Sequence, residues 1–473
     1  MVDIYPSNIY ATRFHEIVAA GGYKSRIMIY NIDLAQNPID VSNRSEVEEY
    51  ADLLKYKNTD TTSNRRIAQD GIRIDNYYNK DEQYTIGNAN MCSIQFSLIN
   101  DDGFFSSYDW EQTIIVYWDV YDTANQDWLG VPLGVYWWER PTRTNALVVR
   151  AKAIDGMSIL DQIDYTWPNF GSGLTLAQIY THIVSNIAGI IPYSHPDEWA
   201  NMVLATYHRA PFNVTNMTRR EVLAKLAEIA GANAFVSRSG VVMLKAFTNA
   251  TWKLTPQSIS QYYEIDGDAI PTPLIKIETG EYTVPIIDKF IAQVGQSGEE
   301  YTSGSGSNAM YSINNGFLDV ATISAQGMVD GMYGVVSGQH TASDMVAYTP
   351  ISIKAYADPS VEAGDIIRVV RNNTTYLMPV FQQTLKWNGA CWTVEMQNSG
   401  TEKRTIPSEA QRQSYVTEDR ISTLEQGGGG GGGGADPATV PASASIDANG
   451  LITFSNSDST ALFTLQLPIY GGA

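Results

Sequence analysis

Histidine is the side chain best suited to acid–base catalysis and to zinc binding near neutral pH. The sequence holds five histidines: His15, His182, His195, His208 and His340. None of them lies at metal-ligand spacing to another. His195 and His208 flank an irregular stretch that also contains Asp197 and Glu198. A surface loop is the interpretation that we favour for this group over a catalytic or zinc site. His182 lies off the apolar side of a predicted helix, where we expect it to be solvated.

Motifs that hold phosphate, zinc or an activated serine are missing from the sequence. It has no Gly-x-x-x-x-Gly-Lys loop, no His-Glu-x-x-His and no Gly-x-Ser-x-Gly. Asp266-Gly267-Asp268 lacks the remaining ligand positions of a calcium loop, and Asp101-Asp102 lies in a turn without an identifiable partner. We therefore predict no catalytic residue, no cofactor-binding residue and no metal ligand, and expect that the chain is not an enzyme.

Aromatic residues are frequent, with 28 Tyr, 13 Phe and 10 Trp. A run such as Tyr136-Trp137-Trp138 could stack on sugars. The alternative, which we favour, is that alternate rings face the core and the others face a partner, because aromatic residues are enriched in protein interfaces.

The two cysteines, Cys92 and Cys391, both lie in strand-like segments. We interpret them as buried reduced thiols, with a disulfide or a metal pair as the alternative.

Composition narrows the class of protein. The chain has 473 residues, of which 44% are hydrophobic and 17% charged, and its formal net charge is −20. This length predicts two to four domains. The negative charge argues against nucleic-acid binding, which needs a basic patch, although a negative wall would let DNA slide past. There is no apolar run of membrane-spanning length, and Met1 through Ile17 lacks the layout of a secretory signal. We expect synthesis in the cytoplasm and no stable membrane insertion.

The first region, residues 1–159, is typical of antiparallel β structure. Apolar residues alternate with polar ones from Cys92 to Leu98, which is the pattern of a half-buried strand. Ile114 to Val120, Leu133 to Glu139 and Ala146 to Ala153 are β-branched and aromatic runs separated by turn residues. Such a succession of short strands predicts a β-barrel-like domain.

Residues 160–251 change to a helical period. Thr175 with Gln178, and Thr218 with Glu221, are capping boxes that precede apolar residues at helical spacing. The first helix is expected to end near Gly189 and the second at Gly231. A hairpin from Phe235 to Lys245 follows. We predict a small α+β module whose helices pack a core.

Residues 252–400 return to β structure and predict a second β-barrel-like domain with a Gly/Ser-rich insertion. We expect loops from Glu299 to Gly316 and a strand from Ile366 to Val370. Tyr376 to Trp387 is predicted to form one strand of a hairpin that turns at Asn388-Gly389, a dipeptide typical of type I′ turns.

The remainder of the chain is an extension. Residues 401–426 include a helical segment with a thin coiled-coil seam between Ala410 and Leu424. Residues 427–442 begin with eight glycines, which is the composition of a flexible linker. Residues 443–473 form a C-terminal β segment with strand candidates Leu451 to Phe454 and Leu462 to Leu467. The predicted fold class is therefore mixed: mainly β, with an inserted α+β module.

Several segments, in order, resemble one family: the tail hub, or tail-associated, proteins of tailed phages and prophages, which are related to the baseplate hub of contractile tails. The resemblance covers about residues 20 to 400, and the order of the motifs is more specific than any one of them. The matching segments are Met91 to Leu98 with Asp101 to Phe105, Val131 to Tyr136, Ala153 to Met157, Thr218 to Val236, and Asp358-Pro359 with Gly364-Asp365 and the Asn388-Gly389 hairpin. The end, Leu467 to Gly472, resembles the ends of prophage tail proteins.

The resemblance implies a homotrimer at the virion tail tip or baseplate. Two similar barrels per subunit would give a pseudo-sixfold ring that mates with hexameric distal tail or tube protein. The tape measure protein would be a further partner, and DNA would pass through the ring only as cargo. Many relatives carry a C-terminal enzyme or fibre domain. Here the region after Gln397 is short, so we expect it to dock a tail fibre, a spike or a receptor-binding protein.

Two other functions stay open on the sequence. One is a tail-associated cell-wall hydrolase, and the other is a receptor- or carbohydrate-binding adhesin at the tail tip. The kind of tail, the host and the receptor do not follow from the residues.

Overall fold

The fold is taken from a computed structural model of the chain. It describes residues 13–14, 16–18, 24–32, 41, 43–50, 52–54, 67–161, 167, 173–185, 191–192, 198–207, 214, 217–249, 264–265, 274–294, 299–313, 315–318, 320, 322–338, 347–359, 361–371, 374–388, 391–404, 443–446, 451–455 and 461–466. The chain divides into two compact units, Met1–Gln413 and Ser414–Ala473.

Strands dominate the chain up to residue 160. The elements are β1 Ser25–Ile32, α1 Arg44–Tyr50, β2 Asp52–Leu54, β3 Ile67–Tyr77, β4 Ser93–Ile99, a 3-10 turn Phe104–Ser106, β5 Thr113–Asp122, β6 Asp127–Glu139, β7 Val148–Ile154 and α2 Met157–Leu160. Burial alternates along β4 as the sequence predicted, with its apolar side chains inside. The predicted strands around Ile114, Leu133 and Ala146 are confirmed as β5, β6 and β7.

The α+β module follows. Its elements are α3 Leu176–Val184, β8 Ile191–Pro192, α4 Glu198–Leu204, α5 Arg219–Ile229, β9 Asn233–Val236 and β10 Val241–Lys245. Both predicted capping boxes are present, at Thr175 and at Thr218. The predicted hairpin is confirmed as β9 and β10. Helix α3 ends at Val184, earlier than predicted, because Ser185 is already extended.

Gly231, the predicted end of the second helix, has a φ of 64°. A Cβ atom there would lie 2.7 Å from Cβ of Val335. Glycine is therefore required both by the left-handed backbone that ends the helix and by the close approach of Val335.

Residues after 247 add more strands and one helix. They are β11 Thr248–Asn249, β12 Glu264–Ile265, β13 Leu274–Thr279, β14 Lys289–Val294, β15 Glu299–Gly304, β16 Ala309–Ile313, a 3-10 turn Gly316–Leu318, α6 Ala325–Val336, β17 Ile351–Tyr356, β18 Asp365–Arg371, β19 Thr374–Pro379, β20 Gln382–Trp387 and β21 Trp392–Gln397. The second unit holds β22 Ser443–Ile446, β23 Leu451–Ser455 and β24 Ala461–Gln466, paired antiparallel in that order. The two strands predicted there are confirmed.

One sheet of eleven strands organises the first unit. Its order is β13-β17-β21-β20-β3-β4-β7-β6-β5-β1-β2, and neighbouring strands run antiparallel. Strand β3 pairs with β20 from Ile72↔Trp387 to Tyr77↔Gln382, so the two predicted β regions share this sheet. The mainly β character is confirmed. The described strands form open sheets, however, and do not close into a barrel.

Some predictions in residues 252–400 are wrong. Glu299 to Gly316, expected as loops, includes β15 and β16, which flank β14 in a small sheet. The strand expected from Tyr376 to Trp387 is divided at Val380-Phe381 into β19 and β20, which belong to different sheets. In the following turn Trp387 pairs with Trp392 and the amide of Asn388 donates to the carbonyl of Cys391. Gly389, the second residue of the predicted turn, lies outside the described residues.

Two predictions fall on parts of the chain outside the described residues. They are the coiled-coil seam from Ala410 to Leu424 and the glycine linker from Gly427 to Gly434.

Candidate functional site

The outer side of the large sheet carries charged residues on β13, β17, β21, β20 and β3 and, beyond the uncharged strand β4, on β7. We call this surface the charged face. Burial alternates along β20 and β21, so that Leu385 and Val394 face the core while Thr384 and Glu395 face outward. The face follows from period-two patterning in strands that pair with one another in register.

Cross-strand ion pairs connect the centre of the face. The Lys386 ammonium lies 2.6 Å from one oxygen of Glu395, and the Lys354 ammonium lies 3.3 Å from the other. The hydrogen bond from Lys386 lowers the pKa of the Glu395 carboxyl. Because these side chains are about 40% exposed, each such pair contributes only about 0–1 kcal/mol to stability. Their effect is to fix the positions of charges on the surface.

The charged face is concave and mainly basic. A groove of about 350 Å³ crosses it between β13 and β3. Counting Glu139 of β6 at the rim, the described side chains of the face include six basic and four acidic residues: Arg73, Arg150, Lys152, Lys276, Lys354, Lys386, Asp75, Glu139, Glu278 and Glu395. A surface with a basic surplus is unusual in a chain whose formal net charge is −20. It fits a partner with an acidic surface.

A buried ion pair anchors the α+β module behind the sheet. The ammonium of Lys245, on β10, donates to the carbonyl of Ala363 at 2.8 Å and lies 3.1 Å from the fully buried carboxylate of Asp365. Glu362 lies 3.9 Å away from the same ammonium. Such pairs fix geometry, since either charge alone would be costly to bury.

Arg238 makes a second anchor in the turn between β9 and β10. Its Nη2 donates to the carbonyl of Val361 at 2.9 Å and to Oε1 of Gln383 at 3.1 Å. Its backbone amide donates to Oε1 of Glu362. The hairpin, the loop before β18 and strand β20 are therefore tied together by one side chain.

Asp155 stands at the end of β7, inside the protein. Its carboxylate accepts hydrogen bonds from the backbone amides of Cys92 at 3.0 Å and Met157 at 3.2 Å. Burial raises the pKa of the Asp155 carboxyl to about 7, and also raises the pKa of the Cys92 thiol well above its usual range. The Cys92 thiol is therefore a poor candidate for a nucleophile at neutral pH.

The residues singled out in the sequence are not brought together. His182 is half-buried on α3 rather than fully solvated, and the other four histidines lie outside the described residues, as does Asp266-Gly267-Asp268. Asp101-Asp102 does form a turn, closed by the amide of Gly103 on the carbonyl of Asn100. Within the described residues there is no group of three or more His, Cys, Asp and Glu side chains that could hold a metal ion.

The aromatic run and the cysteines divide between core and surface. Tyr136 is buried, whereas Trp137 and Trp138 are half-buried against different core clusters, so no flat sugar-stacking face forms there.

Cys92 is buried as predicted, and neither cysteine forms a disulfide. Cys391 is half-exposed, contrary to prediction, because it belongs to the β20–β21 turn.

Sequence reasoning did not find the charged face. The alternation along β21 is visible in the sequence. Lys354 and Lys386, however, come from the neighbouring strands, and the local pattern does not encode which strands pair. The available signal was a charged residue at polar positions of several of these strands. None of the described helices combines the length and the apolar composition that crossing a membrane requires.

Three solved structures that the chain matches are tail or baseplate proteins. The 43 kDa tail protein of prophage MuSo2 from Shewanella oneidensis is 12% identical, over 79% of this chain and 97% of its own, with a TM-score of 0.43. A tail protein from Neisseria meningitidis MC58 is 7% identical, over 79% of this chain and 96% of its own, with a TM-score of 0.43. A chain of the P2 virion baseplate in its activated conformation is 8% identical, over 80% and 99%, with a TM-score of 0.28. No protein-family model and no curated protein matches the chain.

Proposed function

We propose that the chain is a structural protein of a phage tail tip or baseplate hub. The observation that carries this proposal is the position of the segments that resemble tail hub proteins. Met91 to Leu98 provides β4, Val131 to Tyr136 lies within β6, and Ala153 to Met157 joins β7 to α2. The remaining segments are the α5–β9 connection and the loop before β18 with the β20–β21 hairpin. In sequence order they build one sheet and the module anchored behind it.

The proposed assembly is a homotrimeric ring that joins and closes the tail tube. Such a ring would mate with a hexameric distal tail or tube protein, as the resemblance to tail hub proteins implies. The tape measure protein would be the partner inside the tube. The net charge of −20 supports a channel that DNA passes through without binding, since like charges repel.

The charged face has the features of a surface that contacts another protein rather than those of a small-molecule site, and this supports the structural role. The groove on the charged face is open, and the ion pairs that line it satisfy one another across neighbouring strands. Fixed charges on a rigid sheet give register and specificity to a protein interface.

We further propose that the chain has no cell-wall hydrolase activity. Cell-wall zymography with the purified full chain tests this proposal, and we expect no clearing. A cleared band that persists after repurification would favour the hydrolase.

The C-terminal unit is proposed to dock a tail fibre, a spike or a receptor-binding protein. Its three strands form an antiparallel meander of their own. Particles made with residues 427–473 deleted should keep the ring and lose that attachment. Particles that retain every other tip protein after the deletion would contradict docking.

Location in the particle is the direct test of the proposed function. Gold-labelled antibodies against this chain should mark one end of each tail, where the particle contacts the cell, in particles released by lysis. Labelling along the tail shaft, on the head, or only on free protein would overturn the proposal.

A further inference from the structure

The residues that border the charged face differ in chemical type between the two ends of its strands. At one end Tyr77 pairs with Gln382, Gln382 with Gln397, and Ile351 with Thr279. The loops that leave this end hold four exposed acidic residues: Asp81, Glu82, Glu281 and Glu402. We call this group the acidic end. Two exposed lysines, Lys80 and Lys403, and the half-buried Arg404 lie in the same loops, so acidic residues exceed basic ones there by one.

Hydrogen bonds hold these loops together. The Ser399 hydroxyl donates to the carbonyl of Asp81 at 3.2 Å, and the Tyr282 hydroxyl donates to the carbonyl of Gly400 at 2.7 Å. Loops that are distant in sequence thus present their carboxylates on one surface. The acidic end is therefore a fixed feature of the fold.

The opposite end of the same strands exposes apolar side chains, next to the exposed Asp101 and Asp102 of the turn after β4. Leu147 is 75% exposed and Val148, at the start of β7, 47%. Across the sheet, Ile275 of β13 is 50% exposed and Tyr356 of β17 38%. The basic residues of the charged face lie between this apolar end and the acidic end. The sheet thus carries two surfaces of opposite charge, with exposed apolar side chains beside the basic one.

We propose that the charged face of one copy docks onto the acidic end of the next copy, and that this head-to-tail contact closes the ring. The inference rests on the proposed trimer and adds the surfaces that form it. A cyclic trimer requires a heterologous contact, in which two different patches of the same chain meet. The basic face and the acidic end are such a pair, and a second copy supplies the acidic partner that the face requires.

Each part of the contact has its own physical role. Charges at the rim speed association and fix the register, and their contribution falls as salt screens them. Burial of the exposed apolar side chains, Leu147, Val148, Ile275 and Tyr356, supplies affinity that salt does not weaken. Trimer formation should therefore weaken, but not vanish, between about 0.05 M and about 0.5 M NaCl.

Charge reversal on each surface tests the contact. The face variant is Arg150→Glu with Lys354→Glu, which leaves the shorter Lys386–Glu395 ion pair in place. The end variant is Glu82→Lys with Glu402→Lys. The control, Lys24→Glu with Lys289→Glu, changes charge equally outside both surfaces. Thermal melting of each variant establishes that it folds, and Arg150→Gln with Lys354→Gln is the milder substitute if the face variant does not.

The readout is the trimer fraction by analytical ultracentrifugation of the full chain across a concentration series. The face and end variants should each weaken assembly about tenfold or more. A chain carrying all four reversals should regain assembly, because attraction is restored with the signs exchanged, and the control should match the unmodified chain. A trimer that is indifferent to both reversals, or four reversals no better than two, would overturn this contact alone. A chain that stays monomeric at every concentration would overturn the proposed trimer as well.

Discussion

Asp155 is a buried carboxyl whose protonation should be visible in the stability of the whole fold. Its pKa is raised by burial to about 7, whereas an unfolded chain has an ordinary Asp pKa of about 4. Between these two values the folded protein holds a proton that the unfolded chain releases. The contribution of this group is therefore fully present below about pH 4 and is lost as pH rises through about 7.

We expect that replacing Asp155 with Asn removes this part of the pH dependence. The free energy of unfolding of the unmodified chain should carry a downward component from pH 4 to pH 7, on the order of a few kcal/mol. The Asp155→Asn chain should lack that component, because its amide does not titrate. Urea denaturation at several pH values measures both. Parallel curves for the two proteins would contradict the assignment.

The two cysteines should differ in reactivity. Cys92 is buried, which raises the pKa of its thiol, whereas Cys391 is half-exposed in a turn. Because the thiolate is the reactive form, a maleimide should label one site in the folded protein and two in denaturant. In Cys391→Ser, labelling of the folded protein should disappear. Labelling of Cys92 in folded Cys391→Ser would show that this strand opens.

At the residue scale, the sequence predicted those features that depend only on residues close to one another in the chain. The capping boxes at Thr175 and Thr218 formed because each needs only residues three positions apart. The bond from Lys245 to Ala363 spans 118 positions. No local pattern encodes such a partner, so the buried ion pair was not predictable.

At the scale of secondary-structure elements, the position of the β9–β10 hairpin depends on the buried ion pair that joins it to the loop before β18. We expect Lys245→Met to lower the free energy of unfolding by about 3–5 kcal/mol, because Asp365 would be left buried without its cation. Chemical denaturation measures the loss.

Two comparisons test the physical reason for that loss. Lys386→Met removes a cation from an exposed pair with Glu395 and should cost no more than about 1 kcal/mol. Adding Asp365→Asn to Lys245→Met should recover part of the loss. If the buried and exposed substitutions cost the same, the ion pair does not anchor the hairpin.

Strands with clean alternation were predicted from sequence, and irregular elements were not. Helix α6 was missed although Met328, Val329 and Met332 follow a helical period, because its glycines are typical of loops. Strands β15 and β16 were missed for the same reason. Their stability comes from pairing with β14 and from packing against α6, so tertiary contacts override weak local propensity.

For the whole molecule, the union of the two β regions in one sheet was not predictable. Asn76 on β3 and Gln383 on β20, joined by a side-chain hydrogen bond, are 307 positions apart. Two barrel-like domains were the natural expectation from two successions of short strands. The pairing of β3 with β20 instead gives an open sheet. The charged face exists only because of this pairing.

An image of the intact tail by cryo-electron microscopy tests the central claim most directly. The tip should contain a density of threefold symmetry, around a central channel, into which three copies of the eleven-stranded sheet fit. A tip density that lacks threefold symmetry, or that does not accommodate this sheet, would contradict the proposed hub.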